Sequence, residues 1–327
     1  LLERKNKYQD HKIFCHEVDF RASRDEKFDY LKTTKSINNV ELKELTPNLK
    51  GNWFADRLGE GFEDFLEIAN RKSDETVFDL YSLGVNSNRD SIVYDFFIDR
   101  LLNKVKMFIE GYNQDVNRWT KQTPSKKTAD KIDQFVTSDN PNLKWSSTLK
   151  DYLKREITFD YNPGNIKRSI YRPFVGKYLY FTRGIIHRVF QWPKIFPTQE
   201  SKNLVVCVSG VASNKPFSTF MVQIIPCLVI IEKTQCFPLY RYEEDGSDDS
   251  TGSSSRQENI SDWSLQEFQE AYQSSEMSKE DIFYYIYAVL HHSGYRETFK
   301  ENLKLELPRI PFLKDPHPSP LPEGEGE

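Results

Sequence analysis

Several catalytic signatures are missing from this 327-residue sequence, and their absence narrows its chemistry. No GxxxxGK[ST] pattern occurs, so the stretch encodes no P-loop centre for nucleotide hydrolysis. Two prolines are never adjacent, which removes the (Asn/Asp/Ser)-Pro-Pro-(Tyr/Phe/Trp) signature that grips a flipped base in amino-methyltransferases. No glycine-rich strand-to-helix turn of the cofactor-binding kind is present. Cysteine is scarce: Cys15, Cys207, Cys227 and Cys236 have no CxxC spacing, and the six histidines supply no paired ligands, so no zinc site is expected. Scattered buried thiols in a reducing cytoplasm account for them better. No apolar run approaches the roughly 20 residues that cross a bilayer. The longest, residues 224–231, is interrupted by Pro226 and reads as a buried strand. The charged start Leu1-Leu2-Glu3-Arg4-Lys5 lacks the apolar core of a signal peptide. The sequence opens without Met, as a trimmed chain or a gene fragment would. Its Pro-rich end, residues 316–322, reads as a non-packing tail.

Weaker hints of catalysis do not survive inspection. Ser209-Gly210-Val211-Ala212-Ser213 lacks the GxSxG order of a nucleophile elbow and is better explained as a turn after a strand. Glu41-Leu42-Lys43 has the ExK spacing of some nucleases, but the further acids that would hold a divalent ion are not evident. His291-His292 suits a helix end better than a ligand set.

What is present is a core former with an uneven charge distribution. Hydrophobic residues make up 38% and the chain has 5 Trp, 17 Tyr and 23 Phe, which argues against wholesale disorder. The net charge is only −4, yet residues 144–194 hold eleven Lys/Arg against three acids, an excess of +8. Residues 241–262 hold two Arg against seven acids, or −5. A protein that meets a polyanion with one face can stay near neutral overall in this way, although charge also fluctuates along any soluble chain.

Periodicity gives an α+β reading, a mixed region with a C-terminal helical segment. A strand is expected at residues 13–18 and a helix from Arg24, followed by turn chemistry over residues 45–54 and a short strand at 78–81. A long helix over residues 91–117, capped by Asp90, follows from Ile92, Phe96, Val105, Phe108, Ile109, Tyr112 and Val116. The polar stretch 120–142 reads mainly as a connector, and helical periodicity resumes over 145–156. Strands are expected at 178–181, 204–208 and 228–231, then three helices led by Asp262, Ser278 and Tyr295. The parts divide as residues 1–140, an α+β N-terminal part; 141–242, basic and β-rich; 243–258, an acidic disordered linker; 259–312, helical; and 313–327, a disordered tail.

One constellation is of a binding type. Lys167, Arg168, Tyr171 and Arg172 lead into Lys177, then Arg183, Arg188 and Lys194, interleaved with aromatics. Arginine neutralises phosphates and reads guanine edges, while tyrosine adds hydroxyl contacts and stacking faces. Arg89, in Asn86-Ser87-Asn88-Arg89-Asp90, precedes a helix whose N-terminus favours a phosphate. These nine residues are the candidate DNA contacts. The same interleaving also describes a half-buried sheet with a basic outer face, with Arg172 or Arg89 in internal ion pairs, and the residues alone leave both readings open.

The blocks Arg24-Asp25-Glu26-Lys27, Leu45-Thr46-Pro47 to Asn52-Trp53, Gly84-Val85 with Asn88-Arg89-Asp90, and Ser169-Ile170-Tyr171-Arg172-Pro173-Phe174 occur in order. They continue through Tyr178-Leu179-Tyr180-Phe181, Pro193-Lys194-Ile195-Phe196-Pro197, Val208-Ser209-Gly210-Val211, Lys215-Pro216-Phe217 and Gln235-Cys236-Phe237-Pro238-Leu239-Tyr240. Asn259-Ile260-Ser261-Asp262-Trp263, Asp281-Ile282-Phe283-Tyr284-Tyr285, Leu290-His291-His292 and Leu307-Pro308-Arg309-Ile310-Pro311-Phe312 complete the set. With these blocks the sequence resembles the C-terminal specificity region of type ISP restriction-modification enzymes, over nearly the whole chain to about Phe312. Members join a nuclease, an ATP-driven helicase-like motor, an adenine methyltransferase and a target-recognition region. The resemblance implies target recognition on double-stranded DNA, with the methyltransferase and helicase-nuclease parts as partners in cis or in trans and no membrane. The edge of the methyltransferase would fall at residues 1 to about 20. It implies no catalytic residue and no cofactor in this chain, with S-adenosylmethionine, ATP and Mg serving the full enzyme. Two alternatives remain: a methyltransferase fragment with a residual catalytic role, and an inert remnant of a split restriction gene.

Overall fold

The computed structural model describes residues 12–18, 22–46, 59, 61–122, 131–136, 143–244 and 254–313. Two compact units emerge, Leu1–Glu60 and Gly61–Glu327. The first contains β1 (Ile13–Cys15), α1 (Arg24–Thr34) and β2 (Lys43–Leu45), with β1 and β2 antiparallel. Ser23 starts α1 through a capping box: its hydroxyl accepts from the Glu26 N–H, and the Glu26 carboxylate accepts from the Ser23 N–H at 2.6 Å. Most of the turn expected at 45–54 lies outside the described residues.

The second unit runs β3 (Leu66–Glu67), β4 (Ser82–Leu83), α2 (Asp90–Val93), β5 (Tyr94–Asp95), α3 (Ile98–Thr120), α4 (Ile132–Phe135) and α5 (Ser147–Lys154). There follow β6 (Ile166–Arg172), β7 (Val175–Tyr180), α6 (Trp192–Ile195), β8 (Val205–Val208), β9 (Thr219–Val222), β10 (Ile225–Pro226), β11 (Gln235–Pro238), β12 (Tyr240–Glu244) and β13 (Ser254–Glu258). The helices α7 (Asp262–Tyr272), α8 (Lys279–His291), α9 (Ser293–Thr298) and α10 (Asn302–Leu305) precede β14 (Arg309–Ile310). This is an α+β fold, and among the described residues no helix is long and apolar enough to cross a membrane.

Two four-stranded sheets organise the unit, in the orders β10-β6-β7-β5 and β4-β11-β8-β9. The second sheet has a core on each side. Alternation along β8 sends Val205 and Cys207 into a cluster with Leu101, Val105, Phe108 and Tyr112 of α3 and Leu149 and Leu153 of α5. Val206 and Val208 enter the other cluster, with Phe268 of α7 and Ile282, Phe283 and Ile286 of α8. A strand covered on both faces reads as an unbroken apolar run, as residues 204–208 do. The cysteines are free thiols, buried at 207, 227 and 236.

Several expected boundaries shift. The helix expected at 91–117 is broken at β5, where Tyr94 and Asp95 pair with Leu179 and Tyr178 of β7, and α3 begins at Ile98. Sheet pairing there overrides helical periodicity. Asp90 does not cap it; its carboxylate takes hydrogen bonds from the Ser87 hydroxyl and, at 3.1 Å, from Tyr171. Residues 228–231 form turns rather than a strand, with the Ile230 N–H bonded to the Cys227 carbonyl at 3.1 Å. The boundary expected at residue 140 runs through one core, because α3 packs with β7 and α5. The expected linker 243–258 is paired at both described ends, Glu243 against Ser255 in the β12–β13 hairpin. Its middle, residues 245–253, lies outside the described residues, as do 123–130, 137–142 and the tail beyond Leu313.

Candidate nucleic-acid interface

The basic segment folds as the β6–β7 hairpin and the loop and short helix after it. β6 and β7 pair with Arg168 opposite Tyr178 and Ser169 opposite Lys177. Because successive residues of a strand face opposite ways, Arg168 and Lys177 lie on the two faces of the hairpin. The Arg168 guanidinium sits over the Tyr178 ring at 5.0 Å and is exposed. On the other face the Tyr171 ring is enclosed by Lys177 at 3.9 Å and Arg172 at 4.0 Å, and Lys177 also meets Phe96 at 4.7 Å. Such cation–π contacts contribute about 0.5–1 kcal/mol each at exposed sites and leave most N–H donors free.

The nine sequence-predicted residues divide by what their polar atoms already do. Arg89 is completely buried, and this removes it from any DNA-contacting surface. Its guanidinium donates to the Lys144 carbonyl at 3.0 Å, to the Ser146 hydroxyl at 2.9 Å and to the Ile185 carbonyl, and it lies over the Phe108 ring. Burial pushes its pKa down to about 10. At the phosphate site expected over residues 86–90, a cleft of about 340 Å³ is lined by Asn86, Ser87, Asn88 and Asp90, but α2 is one turn long, Ser87 is bonded to Asp90 and to the Arg89 N–H, and the Arg89 side chain does not enter it.

Lys167 is also committed internally, donating to the Phe196 and Pro197 carbonyls at 2.6 and 3.0 Å, and burial lowers its pKa. Lys167→Met should therefore lower stability by about 1–2 kcal/mol, the loss of two charge-assisted hydrogen bonds, while duplex affinity stays at the parent value. Urea unfolding and an equilibrium binding titration on the same preparation check both halves. Tyr171 gives its hydroxyl hydrogen to Asp90, and burial, then the Asp90 charge, raises its pKa. Arg172 donates to the Tyr171 carbonyl at 2.7 Å, so only part of its fork faces outward.

Arg168, Arg183, Arg188 and Lys194 are exposed and have no carboxylate partner among the described residues. Arg188 is fixed by main-chain bonds to Asn86, at 2.9 and 3.2 Å, and Lys194 by the first turn of α6. His187, next to Arg188, has its pKa lowered by burial and by the charges of Arg188 and Arg89, and bonds Thr148 at 2.8 Å. Arg168 and Lys167 share a cleft of about 440 Å³ with Ile98 and Leu102 of α3, Tyr178 and Gln199. His292 caps α9 with Nδ1 accepting from the Tyr295 N–H, and His291 meets the edge of the Tyr287 ring, so the pair serves the helix end. Among the described residues no cluster of three His, Cys, Asp or Glu side chains could hold a metal ion.

Three exposed aromatics are not among the nine predicted contacts. Phe96 and Phe97 are 57% and 60% exposed at the entry to α3, and Phe174 is 86% exposed at the hairpin tip. Phe96 fits the expected helix as an apolar contact, so periodicity hid its exposure. Phe174 was signalled only by Pro173 between two β-prone runs.

Residues 76–318 match the family of the Type ISP C-terminal specificity domain. The fold is similar to part of a nuclease-deletion mutant of the Type ISP restriction-modification enzyme LlaGI in complex with a DNA substrate mimic. There the TM-score is 0.78 and the identity 27%, over 94% of this chain and 27% of that one. It is similar to DrdV in its DNA complex, with TM-score 0.78 and 33% identity over 94% of this chain and 29% of that one. The ATP-dependent Type ISP enzyme LlaBIII bound to DNA gives TM-score 0.75 and 25% identity, over 89% and 18%. The chain thus spans less than a third of each of these proteins. No curated protein matches it.

Proposed function

The chain belongs to the Type ISP C-terminal specificity domain family, and from that membership we propose that it recognises the DNA target of a restriction-modification enzyme. In this role it positions a duplex for adenine methylation and restriction by other parts of the enzyme, joined in cis or in trans. S-adenosylmethionine, ATP and Mg belong with those parts. The observation that carries the reading is the set of exposed cations without carboxylate partners among the described residues: Arg168, Arg183, Arg188 and Lys194. Arginine and lysine held by backbone structure yet unpaired suit phosphate contacts, and phosphate contacts set register on a duplex. They also explain how a chain of net charge −4 can engage DNA, because the acids are concentrated elsewhere.

The test is duplex binding by the purified chain across a salt series. Binding whose affinity falls steeply with salt, by about 0.9 log units per log unit of salt for each phosphate neutralised, supports the reading. A folded chain that retains no duplex at low salt refutes it.

A further inference from the structure

The end of the β6–β7 hairpin extends past the strands that flank it, although Tyr171 bonds Asp90 and Phe174 meets Phe220. β10 pairs with β6 only at Ser169 and Ile170, and β5 pairs with β7 only at Tyr178 and Leu179. Gly176 and Lys177 pair with Ile170 and Ser169, and beyond them, among the described residues, the only strand pairing of residues 171–175 is Arg172 opposite Val175. The two-residue turn is Pro173-Phe174, and Phe174 has φ 64°. Proline followed by a positive φ is the pattern of a type II turn, where glycine or asparagine is favoured in the second place. A bulky residue there is strained, and here the strain places an aromatic ring in solvent. Burial does not account for the choice, since Phe174 is 86% exposed and its ring meets only the Phe220 ring edge-on among the described rings, at 5.3 Å. Around it the hairpin carries Arg168 on one face and Lys177 on the other, with Arg172 beside the turn. No acidic residue occurs between Asp160 and Glu200.

We propose that this hairpin enters a groove of duplex DNA and that Phe174 stacks on a base step at its tip, between cations directed to the flanking phosphates. The proposal rests on the DNA-binding reading above and adds an element and a residue to it. A two-stranded ribbon fits the major groove, and apolar side chains can wedge at base steps while cations neutralise the backbone. An anionic partner with flat π-faces matches an aromatic set among cations better than a protein surface does.

The test uses the whole chain and a random-sequence duplex at low ionic strength. Phe174→Ala should weaken binding roughly tenfold, the loss of one stacked base, without altering the salt slope. Phe174→Trp should bind like the parent. Phe174→Asn should bind like the alanine variant yet melt no lower than the parent, because asparagine tolerates positive φ. With p-benzoylphenylalanine at position 174, irradiation should attach the chain to DNA. The same group at Tyr284, 45% exposed on α8, should not. Parental affinity in Phe174→Ala, or no DNA adduct from position 174, overturns the hairpin proposal while duplex binding by the parent still stands. Failure of the parent itself to bind overturns both readings.

Discussion

Arg89→Ala should lose about 3–5 kcal/mol of unfolding free energy, the largest effect of any single basic substitution in the chain. Three groups depend on that guanidinium: the carbonyls of Lys144 and Ile185 and the hydroxyl of Ser146. Alanine removes that donor from the Ile185 and Lys144 carbonyls, while Ser146 keeps the Leu149 N–H, at about 1–3 kcal/mol for each group that water cannot reach, and opens a cavity beside Phe108. Arg89→Lys should recover part of the loss, because a lysine supplies a charge but not a planar fork and is readily deprotonated when buried. Urea unfolding measures the stability. Duplex affinity per folded molecule should be unchanged in both variants. A fully stable Arg89→Ala that binds DNA weakly would place Arg89 on the DNA and contradict its internal role.

The second large effect lies on DNA. Changing Arg168, Arg183, Arg188 and Lys194 together to Gln should weaken duplex binding on the order of a thousandfold at about 0.1 M salt, with the salt slope flattened by roughly 3–4. Each position is exposed and unpaired by a carboxylate among the described residues, so stability should move by less than about 0.5 kcal/mol per substitution. The same preparations, compared by thermal melting and by binding at several salt concentrations, separate the two quantities. An unaltered slope would mean that the phosphates are met by other residues.

The two arginines 89 and 168 show how far the sequence could be read. Both stand in the same kind of basic, aromatic-rich context, and sequence patterning treats them alike. Their difference is tertiary: Arg89 points into α3 and the loop at Ile185, whereas Arg168 lies exposed on a strand face over Tyr178, with no carboxylate partner among the described residues. Local signals served where local physics decides. Ser278 and Asp281 announce α8 through a capping box that the structure contains, and the apolar run at 204–208 announces β8. Local signals failed where distant partners decide. Tyr94 and Asp95 leave a helical pattern because β7 offers them a strand partner, and residues 228–231 turn although their composition favours a strand. The acidic stretch beginning at Glu243 lacks apolar residues, yet Arg241 is held by Asp79 at 3.4 Å, and β12 and β13 pair over their described ends.

The family blocks located the fold and left the contact residues open, because a block can be retained for packing as well as for binding. Tyr171 and Arg172 illustrate this. The Tyr171 hydroxyl ties the hairpin to Asp90, and the Arg172 guanidinium lies over the Tyr171 ring and donates to its carbonyl, so both are engaged within the fold.

Selection from a random duplex library tests sequence recognition most directly. The purified chain is equilibrated with the library at two salt concentrations, and the retained DNA is sequenced. One enriched motif, retained at the higher salt after nonspecific duplexes are lost, is the predicted result. Salt-sensitive retention with no enriched sequence would contradict it and reduce the chain to a basic surface without target recognition of its own.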